Sequence, residues 1–382
     1  MANALRSQRG KKKKTETLKT GPALINSSLR EWKPLIEEKD YCKDKINIYS
    51  SFQVIDDVKE KLTQRQKHLF AQTCFGQFLQ LKRIQFHGQL IHYILLRQLV
   101  CPAGENSMWF RIGGKEYEFG LKKFALITGL DCSEFGSLEV ENQLNNRIRD
   151  RYFDGKDRVI GKDLDRSFKN CDGNNDEDVV KLAQLYLLER FLFGKDSRRP
   201  TEKLPIGLVD KVEDFNKFPW DRLLYNCLKH SIKNLLRSRD KKISKTPTKD
   251  SNISYLTYEL HGFPYVLQLW VYECIPLIGK KLAHRIDQKM PRMWNWATTK
   301  QPNSKSLENE VFNADELQVK SGLQLTEDEI NKEKRLKKKN EAASMEEEDL
   351  SVDKAQENVS PGKSHEEYEG NGTEDDLSKE YS

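Results

Sequence analysis

The sequence predicts a mainly α protein: a single helical domain with a small β-hairpin, flanked by disordered termini. Three observations carry this. Apolar residues recur at three- and four-residue spacing through much of residues 54–296. A Gly113-Gly114 pair sits between two short alternating runs, which marks a hairpin. Charge is segregated: residues 301–382 hold 11 Lys/Arg against 22 Asp/Glu, a net of −11, while residues 1–300 hold 54 against 37, a net of +17. The expected organisation is a basic, largely flexible arm over 1–46, a mainly α domain over 47–300 and an acidic disordered tail over 301–382.

The arm contains "RSQRGKKKK", in which Arg9, Lys11, Lys12, Lys13 and Lys14 resemble a nuclear localisation signal. A solvated basic tail reads equally well from the same residues. No apolar core follows, so this start does not read as a secretory signal. A docked turn is expected at Trp32. Helical periodicity begins near Val54. In "TQRQKHLFAQTCFGQFLQL", Thr63 and Gln66 have capping-box spacing. In "FHGQLIHYILLRQLV", Leu90, Ile91, Ile94, Leu95 and Leu99 share one helical face, with Pro102 and Gly104 ending the run.

In "MWFRIGGKEYEFGLKKFALITGL" the glycines invite comparison with a phosphate-binding loop. Such a loop leads straight into a helix N-terminus. Here Tyr117 and Phe119 form a second alternating run first, so the pair makes a turn, and Gly129 is expected to cap the following helix at its C-terminal end. Residues 139–175 are polar and carry no clear period. "DGNNDEDVVKLAQLYLLERFLFG" reads as an acidic cap and a helix apolar on almost every side, hence buried. In "PWDRLLYNCLKHSIKNLLRSRD", Trp220 and the apolar positions after it form an inner stripe. "YELHGFPYVLQLWVYECIP" holds another buried helix, opened by Pro264 and closed before Pro276. "PRMWNW" supplies two aromatic anchors.

Seven cysteines stand singly, which points to reduced thiols in a cytosolic or nuclear protein. The most apolar 20-residue stretch, "LHGFPYVLQLWVYECIPLIG", contains His261, Gln268, Glu273 and two prolines, so no membrane span is expected.

Five stretches, in order, resemble a plant domain of unknown function, the family numbered nineteen eighty-five. They are "FHGQLIHYILLRQLV", "MWFRIGGKEYEFGLKKFALITGL", "VVKLAQLYLLERFLFG", "FNKFPWDRLLY", and "YELHGFPYVLQLWVYECIP" (which includes Trp270) with its later Trp. The resemblance spans roughly residues 50–296. It implies a transposon-derived context, usually ahead of a SUMO-protease-like cysteine peptidase domain, and no settled molecular activity. Two departures stand out. Gly120 replaces a Ser before the "FALITGL" helix, and Asp221 follows "PW" where the family often has Gly. No peptidase-like pattern follows within the chain.

Candidate chemistry is sparse. A SUMO-protease-type site needs His, an acid, and a Cys preceded by a helper Gln. Asp131-Cys132 lacks that Gln, and Cys274 falls in a helix that reads as buried, so neither is expected to be a nucleophile. His87 and His92 are five apart and fall on different helical faces, against metal ligation. Asp172, Asn174 and Asp176 imitate an EF-hand start, but Glu177 and Ala183 stand where Gly and Glu are required; helix capping fits better. Glu273, inside an apolar helix, demands a basic partner, with Arg97 and Arg292 the candidates. No cofactor, metal or catalytic residue is expected.

Nucleic acid is the remaining option. Arg222, Asn226, Lys229, Lys233 and Arg237 form one helical stripe opposite the apolar one, and Lys241, Lys242, Lys245 and Lys249 extend it. The same stripe reads as an ordinary solvated face. The function expected first is a non-catalytic nuclear interaction or scaffold domain with a protein partner, a SUMO-protease-like domain among the candidates. The alternatives are non-specific DNA or RNA binding through residues 222–249 and, more weakly, a non-catalytic fragment of a SUMO-specific protease.

Overall fold

The computed structural model describes residues 32–42, 44–101, 105–131, 147–243 and 257–298, together with 307, 308, 312, 323, 325–331 and 334; for 235–243 it describes the backbone only. The architecture is mainly α with three two-stranded pairings. In chain order, β1 (Lys45–Ile48) leads into α1 (Phe52–Lys61), α2 (Gln64–Ala71) and α3 (Gly88–Leu96). The hairpin β2 (Met108–Ile112) and β3 (Lys115–Phe119) feeds α4 (Leu121–Thr128). Then come α5 (Arg147–Tyr152), α6 (Gly161–Asn170), α7 (Asp176–Leu187), α8 (Lys203–Leu208), α9 (Val212–Lys217) and α10 (Trp220–Ile243). β4 (Thr257–Leu260), α11 (Tyr265–Cys274), α12 (Pro276–Leu282), β5 (His284–Arg285) and β6 (Trp296–Ala297) complete it.

Local chemistry sets many of these boundaries. Thr63 caps α2 in a full capping box with Gln66. Gly113 and Gly114 take φ of 57° and 73°, as a two-residue hairpin turn requires, and Ile112 pairs with Lys115 across it. Gly129 closes α4 at φ 74°. Asn175 caps α7 by accepting the Asp178 N–H, so the acidic run serves a helix start. Pro264 stands at the N-cap of α11, and Pro276 opens α12.

Every residue of α11 is buried. It packs on α3, α4 and α12, and Trp270 meets Phe110, Tyr117 and Phe119 of the hairpin. A second layer of α1, α2 and α6 surrounds α7, which is buried from Asp178 to Leu187. Trp220 joins the layers: it is 1 % exposed, packs on Phe75, Phe215 and Phe218, and donates its indole N–H to Phe215 O.

Long-range packing changes several expectations. Helix α3 stops at Leu96, before Leu99, because after Arg97 the chain pairs with other segments: Leu99 N–H donates to Trp109 O and Val100 N–H to Lys33 O. Trp32 does dock, stacking on Trp109 at 4.8 Å. The folded part begins earlier than residue 47, since β1 pairs in parallel with β4, Lys45 opposite Thr257. It also extends past residue 300. Leu307 and Glu329 are buried, and Phe312 packs on Tyr93 and under the Arg97 guanidinium, so these members of the expected tail belong to the body. Helices α5, α6, α8, α9 and α12 have no counterpart in the sequence reading.

Gly262 makes a tight backbone junction with α10. It has φ 78°, and a Cβ there would lie 2.5 Å from Leu224 O and 3.0 Å from Cys227 C on α10. Gly262→Ala should cost more than about 2 kcal/mol, since both the backbone angle and α10 must yield. Urea unfolding checks this, and a cost as small as that of Gly114→Ala, where a Cβ meets nothing within 4 Å, would contradict it.

Candidate functional site

The basic stripe lies on α10. Arg222 and Lys233 are exposed; Lys229 is half-buried and donates to Asn106 O at 2.9 Å, which ties it to the foot of the hairpin. Arg237, Lys241 and Lys242 continue along the α10 backbone. Lys245 and Lys249 lie outside the described residues, as do Arg9, Lys11, Lys12, Lys13 and Lys14. Asn226, assigned to the stripe by its spacing, faces a cleft.

This cleft, of about 1220 Å³, opens between α10, residues 193–204 and the strand β4 with His261. Its walls are set by irregular backbone. Residues Leu188–Leu192 continue α7 as a π turn, a distortion that tends to mark functional positions. The chain then reverses at Gly194, φ 63°. On the other side Gly262 presses His261 toward α10, where its N–H donates to Ser231 Oγ at 3.3 Å. The His261 ring Nδ1 lies 2.9 Å from Gly194 O, which fixes the proton on Nδ1 and leaves Nε2 3.8 Å from Glu259 Oε2. Tyr49 stacks on His261 and donates to Glu259 Oε1 at 2.8 Å.

The deeper wall is ionic. Lys195 Nζ lies 2.6 Å from Glu202 Oε1 and 3.5 Å from Glu189 Oε2. Glu189, on the π turn, is 1 % exposed and accepts the Glu202 N–H at 2.9 Å. Burial pushes its carboxyl up to about 7, with Lys195 opposing. Asp196 takes three hydrogen bonds from Arg198, which hold it well below the usual carboxylate range. Burial pushes the Cys227 thiol up to about 11. The acids are therefore paired, the thiol is protonated and the imidazole is anchored. Arg199, His230, Asn226 and Asn234 are exposed, and among the described residues their side chains make no hydrogen bond or ion pair. Sequence reading missed this site. Its signals were Glu189-Arg190 inside an otherwise apolar helix and the His-Gly-Phe-Pro run at 261–264.

The other sequence candidates are structural. His87 Nδ1 meets Tyr272 Oη at 2.8 Å, and His92 is held by Tyr258 Oη and Cys42 O. Cys274 is buried in α11, and Cys132 lies outside the described residues. Asp172 accepts from Asn174 in its own turn. Glu273 does pair with a base, and it is Arg292: Nη1 donates to Glu273 Oε2 at 2.9 Å, while Trp296 Nε1 donates to Oε1 at 2.7 Å. Arg97 instead lies over Tyr41 and Phe312. The same Arg292 forks onto Glu329 at 2.7 and 2.6 Å. Asp221, the departure from "PW-Gly", is fully buried at the start of α10. Neither of its carboxylate oxygens has hydrogen-bond geometry with a described group, although the nearby Arg222 N–H favours the anion.

The model of the family described as Domain of unknown function (DUF1985) matches residues 95–231. Over these residues the chain is similar to that family. Comparison with curated proteins and with solved structures gives no match. The match is narrower than the 50–296 read from the sequence. The matched stretch runs from the end of α3 through the hairpin and α7 to Ser231 on α10, so it contains two walls of the cleft. The third wall, β4 and His261, comes from outside the DUF1985 match.

Proposed function

We propose that the chain is a non-catalytic interaction domain of the nucleus, and that its cleft receives a polypeptide segment from a partner. A SUMO-protease-like domain is the candidate partner implied by the family resemblance, which also implies the transposon-derived plant context. One observation carries the reading. The carboxylates and Lys195 of the cleft are committed to partners, whereas among the described residues Arg199, His230, Asn226 and Asn234 offer unused hydrogen-bonding groups beside β4, the last strand of its pair. Such a surface of exposed polar side chains suits recognition of a polypeptide. It also suits an extended segment, which engages backbone groups along a strand.

The test is peptide selection from a displayed random library on the full chain, followed by affinity measurement on two variants. Asn226→Trp fills the cleft from an exposed position, and Lys233→Glu alters the stripe alone. Selected peptides should bind Asn226→Trp at least ten-fold more weakly and Lys233→Glu with unchanged affinity. Failure to enrich any peptide, or equal binding to Asn226→Trp, would overturn the reading.

Non-specific nucleic-acid binding is the second reading, favoured by the exposure of Arg222 and Lys233 on one face. Phosphate contacts release counterions, so binding through the stripe must weaken steeply with salt. It must also vanish when Arg222, Lys229, Lys233 and Arg237 are all Glu. Binding that survives those changes, or shows no salt slope, removes the stripe.

A further inference from the structure

The short turn at residues 326–331 closes over the body by a single buried side chain. Thr326, Glu327 and Asp328 are exposed and Glu329 is 4 % exposed. A reciprocal capping box builds the turn: Glu329 N–H donates to Thr326 Oγ1 at 3.3 Å, and Thr326 N–H donates to Glu329 Oε2 at 2.8 Å. That same Glu329 oxygen takes the Arg292 Nη2 bond at 2.6 Å. Hydroxyl and carboxylate thus each accept one backbone N–H of the same turn, and the carboxylate also holds the guanidinium.

From this arrangement we propose that Thr326 is a phosphorylation site for an acid-directed protein kinase, and that the phosphate releases residues 326–331 from Arg292. The hydroxyl is on an exposed residue, and the next two residues, Glu327 and Asp328, are exposed acids, the local charge that a basic kinase cleft selects. In the transfer, Thr326 Oγ attacks the γ-phosphorus of ATP. The bond from that phosphorus to the ADP oxygen breaks, ADP leaves, and the hydroxyl proton passes to the kinase base. The product carries about −1.5 to −2 charge at the position of the capping hydroxyl.

Release follows from the crowding of anions. The phosphate and the Glu329 carboxylate would be two anions at the same end of the turn, beside the N–H groups of Glu329 and Thr326, and like charges repel. The phosphate is on the solvent side and hydrates readily, so the carboxylate is the group displaced. Arg292 is not orphaned by this, because Glu273 still holds Nη1. The surplus positive charge falls to Arg285, which lies 3.9 Å from Glu273 and is 40 % exposed, so water screens it. The cluster therefore has a stable arrangement without Glu329, as a releasable latch requires.

The test treats the full chain with ATP, magnesium and an acid-directed kinase, then maps phosphate by peptide mass spectrometry and follows amide exchange at 327–331. Mapping matters because Ser344 and Thr373 also have an acid three residues on, Glu347 and Asp376. Phosphate at Thr326 with at least ten-fold faster exchange at 327–331 is expected. Thr326→Ser, which keeps the cap, should behave like the natural chain in both states. Unphosphorylated Glu329→Gln should already show the fast exchange. No phosphate at Thr326, or phosphate there with unchanged or slower exchange, would overturn the proposal.

Discussion

Arg292→Met should lower stability by about 3–5 kcal/mol, because it leaves two carboxylates buried without their counter-charge. The Glu273 and Glu329 side chains are 3 % and 2 % exposed, and both lie within 2.9 Å of the Arg292 guanidinium. Arg285 at 3.9 Å relieves Glu273 in part and does nothing for Glu329 in the contacts described. Glu329→Gln should cost far less, about 1–2 kcal/mol, since Arg292 keeps Glu273 and an amide keeps part of the cap. Urea unfolding of the three proteins gives the comparison. Arg292→Met within 1 kcal/mol of the natural chain would mean the cluster is hydrated in solution. A chain ending at residue 300, the boundary drawn from charge composition, should lose at least as much as Glu329→Gln, because Leu307 and Phe312 go with it.

Asp221 gives the second large effect, and it depends on pH. Burial pushes its carboxyl up to about 7, the Arg222 N–H opposes, and Asp131 adds to the rise. The folded-state value thus lies above the unfolded one, near 4. Below about pH 4 the group is protonated in both states and costs nothing as a charge. Between about 4 and 7 the unfolded chain releases the proton and the folded chain does not, so stability falls as pH rises. Above 7 the whole penalty applies, roughly 2–4 kcal/mol at 1.36 kcal/mol per unit. Asp221→Asn should therefore match the natural chain near pH 4 and be the more stable protein at pH 8. Glu189 is shifted in the same direction in both proteins, so their difference isolates Asp221. Equal stabilities at pH 8 would show that the carboxylate finds a partner in solution. Gly, frequent at this position in the resembling family, carries no such penalty.

These two positions differ in how legible they were. Glu273 announced its need for a base because a charge inside an apolar helix has few ways to persist, and one of the two bases named was correct. Nothing in the spacing separated Arg97 from Arg292: the choice depended on where α3 ends and on the aromatic rings around Arg97. Asp221 was noticed only as a departure from a family pattern. That its carboxyl is buried at the start of α10, with the Asp131 charge brought near it, is decided by the fold.

Features decided within a few residues could be read from the chain directly. The capping box of Thr63 and Gln66, the Gly113-Gly114 turn, the left-handed cap at Gly129 and the prolines flanking α11 all act through the backbone groups of their immediate neighbours. Tertiary structure alone decided the β1·β4 pair, whose strands are about 200 residues apart, and with it the cleft beside His261. Two four-residue strands carry too little pattern to name each other; their pairing is fixed by the helices that bring them together. Glu329 shows the same limit. Its Thr-x-x-Glu spacing was present, but among 22 acidic residues in a charged segment only the position of Arg292 selects the one that is buried.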